Sequence, residues 1–275
     1  LYRQYARFLD RYQPEFFVFE NVLGILSAER GRLFDEIREY FLTQGYFTEY
    51  RILNASDYGV LQNRLRVIIV GKRGTEPFEF PMPDPVALET DGAVQQALFS
   101  DLEPLAPGQQ KHVSNYTGRP ATDYLFQFNL RNGVDFVTQH ITRPHLERDL
   151  EIYRIAINKL LNDGERLRYN TLPGELITHQ NTEDFSDRFK VINPAGLSHT
   201  IVAHIHKDGH HYIYPDLNQV RSLSVREAAR IQSFPDNYFF EGSRTAAFKQ
   251  IGNAVPPLLA EKIAVQLRDM YFPEQ

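Results

Sequence analysis

A chain of 275 residues, 42% hydrophobic and 24% charged, is long enough for one large domain or two modest ones with real cores. It holds no cysteine, which excludes disulfides, Cys-ligated zinc, iron–sulfur clusters and a catalytic thiol within these residues; no stretch approaches the roughly 18 uncharged apolar residues of a membrane span. The net charge of −5 is uneven, because residues 75–110 hold seven acids and no Lys or Arg, leaving +2 elsewhere, so overall charge decides nothing about nucleic acid.

The opening LYRQYARFLDRYQPEF reads as a charged amphipathic helix rather than a signal peptide. Tyr2, Tyr5, Phe8, Leu9 and Tyr12 recur at helical spacing before Pro14. FFVFENV (16–22) is an apolar run suited to a buried parallel strand that closes on two polar residues. A helix over 33–45 follows, with Leu33, Ile37, Tyr40 and Phe41 on one face and Gly45 as its C-cap. The short connection between YRILNASDYG (50–59) and RVIIVGKR (66–73) favours an antiparallel pair at a sheet edge. Six prolines make 75–110 read as a solvated linker. Beyond it come a helix over 145–164, an expected β-hairpin over 200–215 with Lys-Asp-Gly at its turn, and a helix over 224–234 with a capping box of Ser224 and Glu227. A final amphipathic helix runs over roughly 256–271.

Four clusters carry chemistry. Glu20-Asn21-Val22 ends a hydrophobic strand, where a carboxyl group could grip a heterocycle edge or simply cap the next helix. In Gln62-Asn63-Arg64-Leu65-Arg66, alternation puts Gln62, Arg64 and Arg66 on one face, suited to anion or carbonyl recognition or to guarding a sheet edge. Arg221, Arg226 and Arg230 precede Gln232 and Phe234-Pro235; they could grip a phosphate or tie domains together through carbonyls and carboxylates. Gly252-Asn253-Ala254-Val255-Pro256-Pro257 leaves backbone groups free at a helix start.

The identity, order and spacing of these four together resemble the cytosine-5 DNA methyltransferases, over nearly all of the chain outside 75–190. The resemblance implies an α/β fold: the C-terminal part of a doubly wound methyltransferase sheet domain with an inserted mixed α+β target-recognition domain. Residues 1–74 would belong to the catalytic domain, 75–245 to the linker and recognition domain, and 246–275 to a return segment. It implies transfer of a methyl group from S-adenosylmethionine to C5 of cytosine in double-stranded DNA, in a bacterial cytoplasm and a restriction–modification system. Glu20 would contact the flipped cytosine at N3 and its amino group, and Arg66 its exocyclic oxygen. Arg64 and Gln62 would support the loop, with Gln62 also a DNA candidate. Asn253 and Ala254 would touch the methionine part of the cofactor, and the three block arginines would be structural first. Base readers are sought in 112–145, among Asn115, Arg119, Gln127, Asn129, Arg131, Asn132, Gln139, His140 and Arg143, with Arg119, Arg131 and Arg143 foremost. The hairpin histidines His204, His206, His210 and His211 suit strand surface better than a metal site.

The family pattern also breaks. Its Gly-rich cofactor turn and its Pro-Cys loop both precede Glu-Asn-Val, but only nineteen residues do so here, none of them cysteine. The 275 residues are therefore expected to be inactive alone, as a fragment or one subunit of a split enzyme with an incomplete cofactor site. A complementary N-terminal half or a homodimer partner would cover the exposed apolar surface. The alternatives are a non-catalytic DNA-binding module that keeps the recognition domain, and an unrelated α/β enzyme acting on a small anion.

Overall fold

The computed structural model describes residues 2–88, 94–178, 181–182, 184, 186–273. In chain order the first elements are α1 (Tyr2–Tyr12), β1 (Phe16–Asn21), α2 (Arg32–Thr43), β2 (Tyr46–Asn54), β3 (Gln62–Asn63) and β4 (Leu65–Arg73). They continue with α3 (Val94–Phe99), β5 (Gln110–Asn115), α4 (Asp123–Gln127), β6 (Phe136–Ile141), α5 (Glu147–Asp163) and β7 (Ser198–His199). The last three are α6 (Val225–Ile231), α7 (Arg244–Asn253) and α8 (Pro257–Tyr271). The chain forms two compact units: Leu1–Tyr58, Arg64–Ala87 and Leu259–Gln275 make the first, and Gly59–Asn63 with Leu88–Leu258 make the second. The class is the mixed α/β one that the resemblance implies.

In unit 1 the strand order is β1-β4-β2, and β4 runs antiparallel to both neighbours. The expected pairing of β2 and β4 is present. The expected parallel pairing of β1 is not, because β1 aligns antiparallel with β4 from Phe16↔Lys72 to Asn21↔Val67. A continuous apolar run does not report strand direction, and burial here is one-sided, with Phe17 and Phe19 inside and Val18 39% exposed. Phe17, Phe19, Val67 and Ile69 face α1 and α2 through Ala6, Leu9, Phe34, Ile37 and the fully buried Phe41. Gly71 lies opposite Phe17 in register, and a Cβ there would sit 2.0 Å from the phenyl ring, so the ring takes the space that a side chain would fill. Phe16 instead packs with Phe78, Tyr271 and Phe272, with Lys72 over the Tyr271 ring.

In unit 2, β5 and β6 form an antiparallel pair, β3 and β7 a short parallel one, and α6 packs on β6. α5 is capped by Gly164 in the left-handed conformation (φ 70°) and packs its Ile152, Tyr153 and Ile157 on Leu167, Phe189 and Val191. The Ser224 capping box forms with both reciprocal hydrogen bonds, at 3.1 and 2.7 Å.

Two expectations give way here. The stretch 75–110 is not a solvated linker throughout: α3 lies within it, and Leu98, Phe99, Leu102, Leu105 and even Asp101 are buried. Composition counted Asp101 as surface charge without seeing Arg230, which pairs with it across 129 residues. Glu89 and Asp91 of that acidic stretch lie outside the described residues. The hairpin over 200–215 does not form either. Ala203–His206 is a 3-10 turn, and after the Gly209 turn (φ 78°) the chain pairs with 190–192, Lys190 N–H to the His210 carbonyl and Ile213 N–H to the Lys190 carbonyl, both at 2.9 Å. α7 occupies the other side of the turn, so close that a Cβ on Gly252 would lie 2.3 Å from the Ala203 nitrogen.

Candidate functional site

In unit 1, Glu20 stands near the end of β1, and Arg66 enters β4 beside it. The Arg66 Nε lies 2.7 Å from Glu20 Oε1 while its Nη1 donates to the Leu65 carbonyl at 2.7 Å. Both side chains are largely buried, so the contact is a shielded ion pair rather than a solvated surface bridge, and Glu20 Oε1 accepts no hydrogen bond among the described residues. With Nε and Nη1 so engaged, Nη2 is the nitrogen left to reach an oxygen on a ligand. Arg64 is 1% exposed; its N–H donates to Asn54 Oδ1 at 2.8 Å and its carbonyl accepts from Ala55 N–H at 2.9 Å, bracing the turn between β2 and β4. Leu65 is 42% exposed, as alternation requires.

In unit 2, Gln62 is fully buried. Its Nε2 donates to Gln232 Oε1 at 2.8 Å and to the Ile231 carbonyl at 3.2 Å, and its Oε1 accepts from Ile201 N–H at 2.8 Å. Gln232 Nε2 in turn donates to the Ile251 carbonyl at 2.6 Å, which fixes the end of α7. Gln62 is thus a brace, and Gln232 is its partner that the sequence reading passed over, although it stands in the Gln-x-Phe-Pro motif. Asn253 is exposed at the C-terminal end of α7, and Ala254 is half-buried after it. An exposed amide beside a small side chain fits the rim of a cofactor site, and the 275 residues supply no Gly-rich strand turn to complete one.

The block arginines point inward. Arg221 makes a bidentate pair with Glu227 at 2.7 and 2.8 Å. Arg226 donates to the Thr138, Pro235 and Tyr238 carbonyls. Arg230 grips Asp236 at 2.6 and 2.9 Å and Asp101 at 2.6 Å. Burial alone would push the Asp236 and Glu227 carboxyls up, but the facing guanidiniums outweigh it and hold both below their usual range.

The expected base readers divide. Gln139 and His140 are buried, Gln139 on the Phe240 backbone and His140 between Ser224 Oγ and the Glu103 carbonyl. Arg143 is buried as well; it donates to the Lys207 and Ile205 carbonyls, and burial depresses its pKa to about 10. Arg131 lies 3.6 Å over the Tyr116 ring and 3.4 Å from Asp101, and Asn132 is half-buried. Asn115, Arg119, Gln127 and Asn129 remain exposed. Among the described residues, no three His, Asp or Glu are grouped to hold a metal, and no helix is long and apolar enough to cross a membrane.

Two half-buried imidazoles give unit 2 a pH dependence. Burial and Arg143 push His145 down to about 3, and burial and Lys190 push His199 to about 3. An unfolded histidine titrates near 6.5, so between about pH 6.5 and 3 the unfolded chain binds more protons than the folded one. Stability should therefore be fully present above about pH 7 and fall as pH drops, by on the order of 1 kcal/mol per pH unit for each such histidine. Urea unfolding at pH 7.5 and 5 checks this: an equal midpoint at both would show that these rings are protonated when folded.

A family model described as C-5 cytosine-specific DNA methylase matches residues 1–269. The type II methyltransferase M.Bpa9945I of Bacillus paralicheniformis is 42% identical over 98% of this chain, which spans 63% of that relative's length. M.DdeI of Desulfomicrobium norvegicum is 32% identical over 99% of the chain and 67% of its own. A solved DNA modification methyltransferase encoded within a prophage of E. coli shares the fold, with a TM-score of 0.65 at 21% identity over 96% of this chain and 72% of that one.

Proposed function

Because the chain belongs to the C-5 cytosine-specific DNA methylases, we propose that it is the base-holding and recognition part of a type II DNA (cytosine-5)-methyltransferase of a restriction–modification system, working in the bacterial cytoplasm on double-stranded DNA. The observation that carries the reading is the Glu20–Arg66 pair. It joins a carboxyl group and a guanidinium at 2.7 Å, the two groups needed side by side along one edge of a cytosine. Glu20 would hydrogen-bond N3 and the amino group of the cytosine and stabilise the ring protonated at N3, which draws electrons from C6. Arg66 Nη2 would take the exocyclic oxygen, with Nε keeping Glu20 in place. Arg64 and Gln62 would hold the two stretches that flank this turn. Asn253 and Ala254 would line the edge of the S-adenosylmethionine site, and that cofactor supplies an electrophilic methyl group when bound.

The thiolate for C6 must come from polypeptide outside these residues, since they contain no cysteine. A complementary N-terminal half would bring it along with the rest of the cofactor site. A radiolabelled methyl-transfer assay tests this directly. The 275 residues alone should incorporate no label into DNA, and adding a polypeptide with the Gly-rich strand turn and the Pro-Cys loop should start incorporation at cytosine. Incorporation by the chain alone would overturn the mechanism. DNA binding without incorporation, even with the added half, would mark a non-catalytic DNA-binding module.

A further inference from the structure

Unit 2 carries a cleft of about 790 Å³ that the roles above leave unused. It is built from the start of α5, the stretch 169–178, the segment 188–190 and residues 199–212. Three cations from two segments meet there, Arg148 from one and Arg188 with Lys190 from the other, against two acids, Asp149 and Asp208. Both acids are engaged: Asp208 Oδ1 accepts the His210 N–H at 3.0 Å, and Asp149 Oδ1 lies 3.5 Å from Arg148 Nη2. The Arg188 guanidinium lies 4.7 Å over the Tyr169 ring, a stack that occupies its face and leaves its edge donors for an anion. The Lys190 ammonium is only 18% exposed, and its acidic neighbour Asp187 stands 4.0 Å away. Burial and Arg166 lower its pKa, so an incoming anion would relieve a desolvated charge.

The rest of the wall mixes aromatic rings with the aliphatic Ile152, Leu176 and Val202. His199 stacks on Tyr212, with centroids 5.2 Å apart and planes 19° apart. Its Nε2–H donates to the His211 carbonyl, so Nδ1 is an acceptor. His204 is exposed beside His211. Cations, a stacked imidazole and uncharged acceptors in one cleft suit a nucleotide strand better than a lone inorganic anion, which would use the cations and leave the aromatic wall without a purpose.

We propose that this cleft holds the DNA, with backbone phosphate on Arg148, Arg188 and Lys190 and an adjoining base edge against His199 and His204. The proposal rests on the DNA-methylating reading and names where unit 2 takes hold of that substrate. It moves the contact away from Arg131 and Arg143, whose guanidiniums are spent inside the unit.

Fluorescence anisotropy of the full chain with a short random-sequence DNA duplex, over a series of salt concentrations, tests it. Arg188→Gln and Arg148→Gln should each weaken binding severalfold at about 0.1 M salt and reduce the slope of log affinity against log salt by about one. Arg148 is 42% exposed in its side chain and, among the described residues, ion-pairs with its neighbour Asp149; thermal melting checks that both variants stay folded. Unchanged affinity and slope in both variants, with DNA still bound, would overturn the cleft alone. Tighter binding of an RNA duplex of the same length, run in parallel, or displacement of DNA by inorganic phosphate at equal phosphate concentration, would also overturn it. No DNA binding by the folded, unaltered chain would remove the DNA-methylating reading along with it.

Discussion

Glu20→Gln should lower cytosine methylation by the reconstituted enzyme roughly a hundredfold or more, the usual scale for removing a group that stabilises a protonated centre. The substitution is nearly isosteric and breaks no hydrogen bond to Arg66, whose Nε stands 2.7 Å from Oε1 as an ion-pair partner only. What it removes is the negative charge set against the N3 proton. Since C6 is attacked only as the ring takes up that proton, the loss falls on the chemical step and not on binding. DNA affinity should stay within about threefold of the unaltered protein, because phosphate contacts rather than one carboxylate set it. Single-turnover methyl transfer and anisotropy on the same preparation separate the two quantities. Methylation within about threefold of the parent would show that Glu20 only orders the Arg66 side chain.

The second large effect concerns stability. Arg230→Met should cost unit 2 about 3–5 kcal/mol, a sizeable part of an ordinary domain's stability. Arg230 is wholly buried and answers two carboxylates that are wholly buried too, Asp101 and Asp236. Methionine keeps much of the volume and strands both charges; Tyr116 still donates to Asp236 at 2.7 Å, and Arg131 remains 3.4 Å from Asp101. Arg230→Met combined with Asp101→Asn and Asp236→Asn should recover part of the loss, because the two carboxylates are then no longer charged, although Arg226, 4.0 Å from Asp236, and Arg131 lose a facing acid. Urea denaturation of the three forms measures it. A loss below about 1 kcal/mol for Arg230→Met would mean that water reaches these carboxylates.

The same pair shows where sequence reading stops. Periodicity located α1, α2 and α5 because each shows one apolar face to a core, and the Ser224–Glu227 spacing announced a cap whose two bonds are local. Glu20, Arg64 and Arg66 stood out by motif, and the alternation that buries Arg64 and Arg66 while exposing Leu65 was readable from spacing alone. Contacts between separate stretches of the chain leave no such trace. Asp101 looked like linker charge until Arg230 met it, and Gln139 and His140 looked like base readers until Phe240 and Ser224 claimed them. The hairpin was lost for the same reason, since residues 210–213 take 190–192 as their partner instead of 200–206. Antiparallel β1 was hidden because an apolar run says nothing about which way a strand's neighbour runs.

The five residues 59–63 carry a practical consequence for exchanging specificity between relatives. They belong to unit 2, although Tyr58 before them and Arg64 after them belong to unit 1. Within unit 2 the Gly59 carbonyl accepts from Tyr124 Oη at 2.6 Å, the Leu61 carbonyl from Ser198 N–H at 3.0 Å, and the Asn63 carbonyl from Thr200 Oγ1 at 2.7 Å. A graft that transplants only residues 75–245 would bring a foreign Tyr124, Ser198, Thr200 and Gln232 to a native Gly59–Asn63, and any mismatch would leave a buried amide or carbonyl unanswered. The transplantable piece is therefore discontinuous. It is the long insert together with the short passage 59–63 that interrupts unit 1, and chimeras cut at the obvious seams should fail by misfolding before their new specificity is ever expressed.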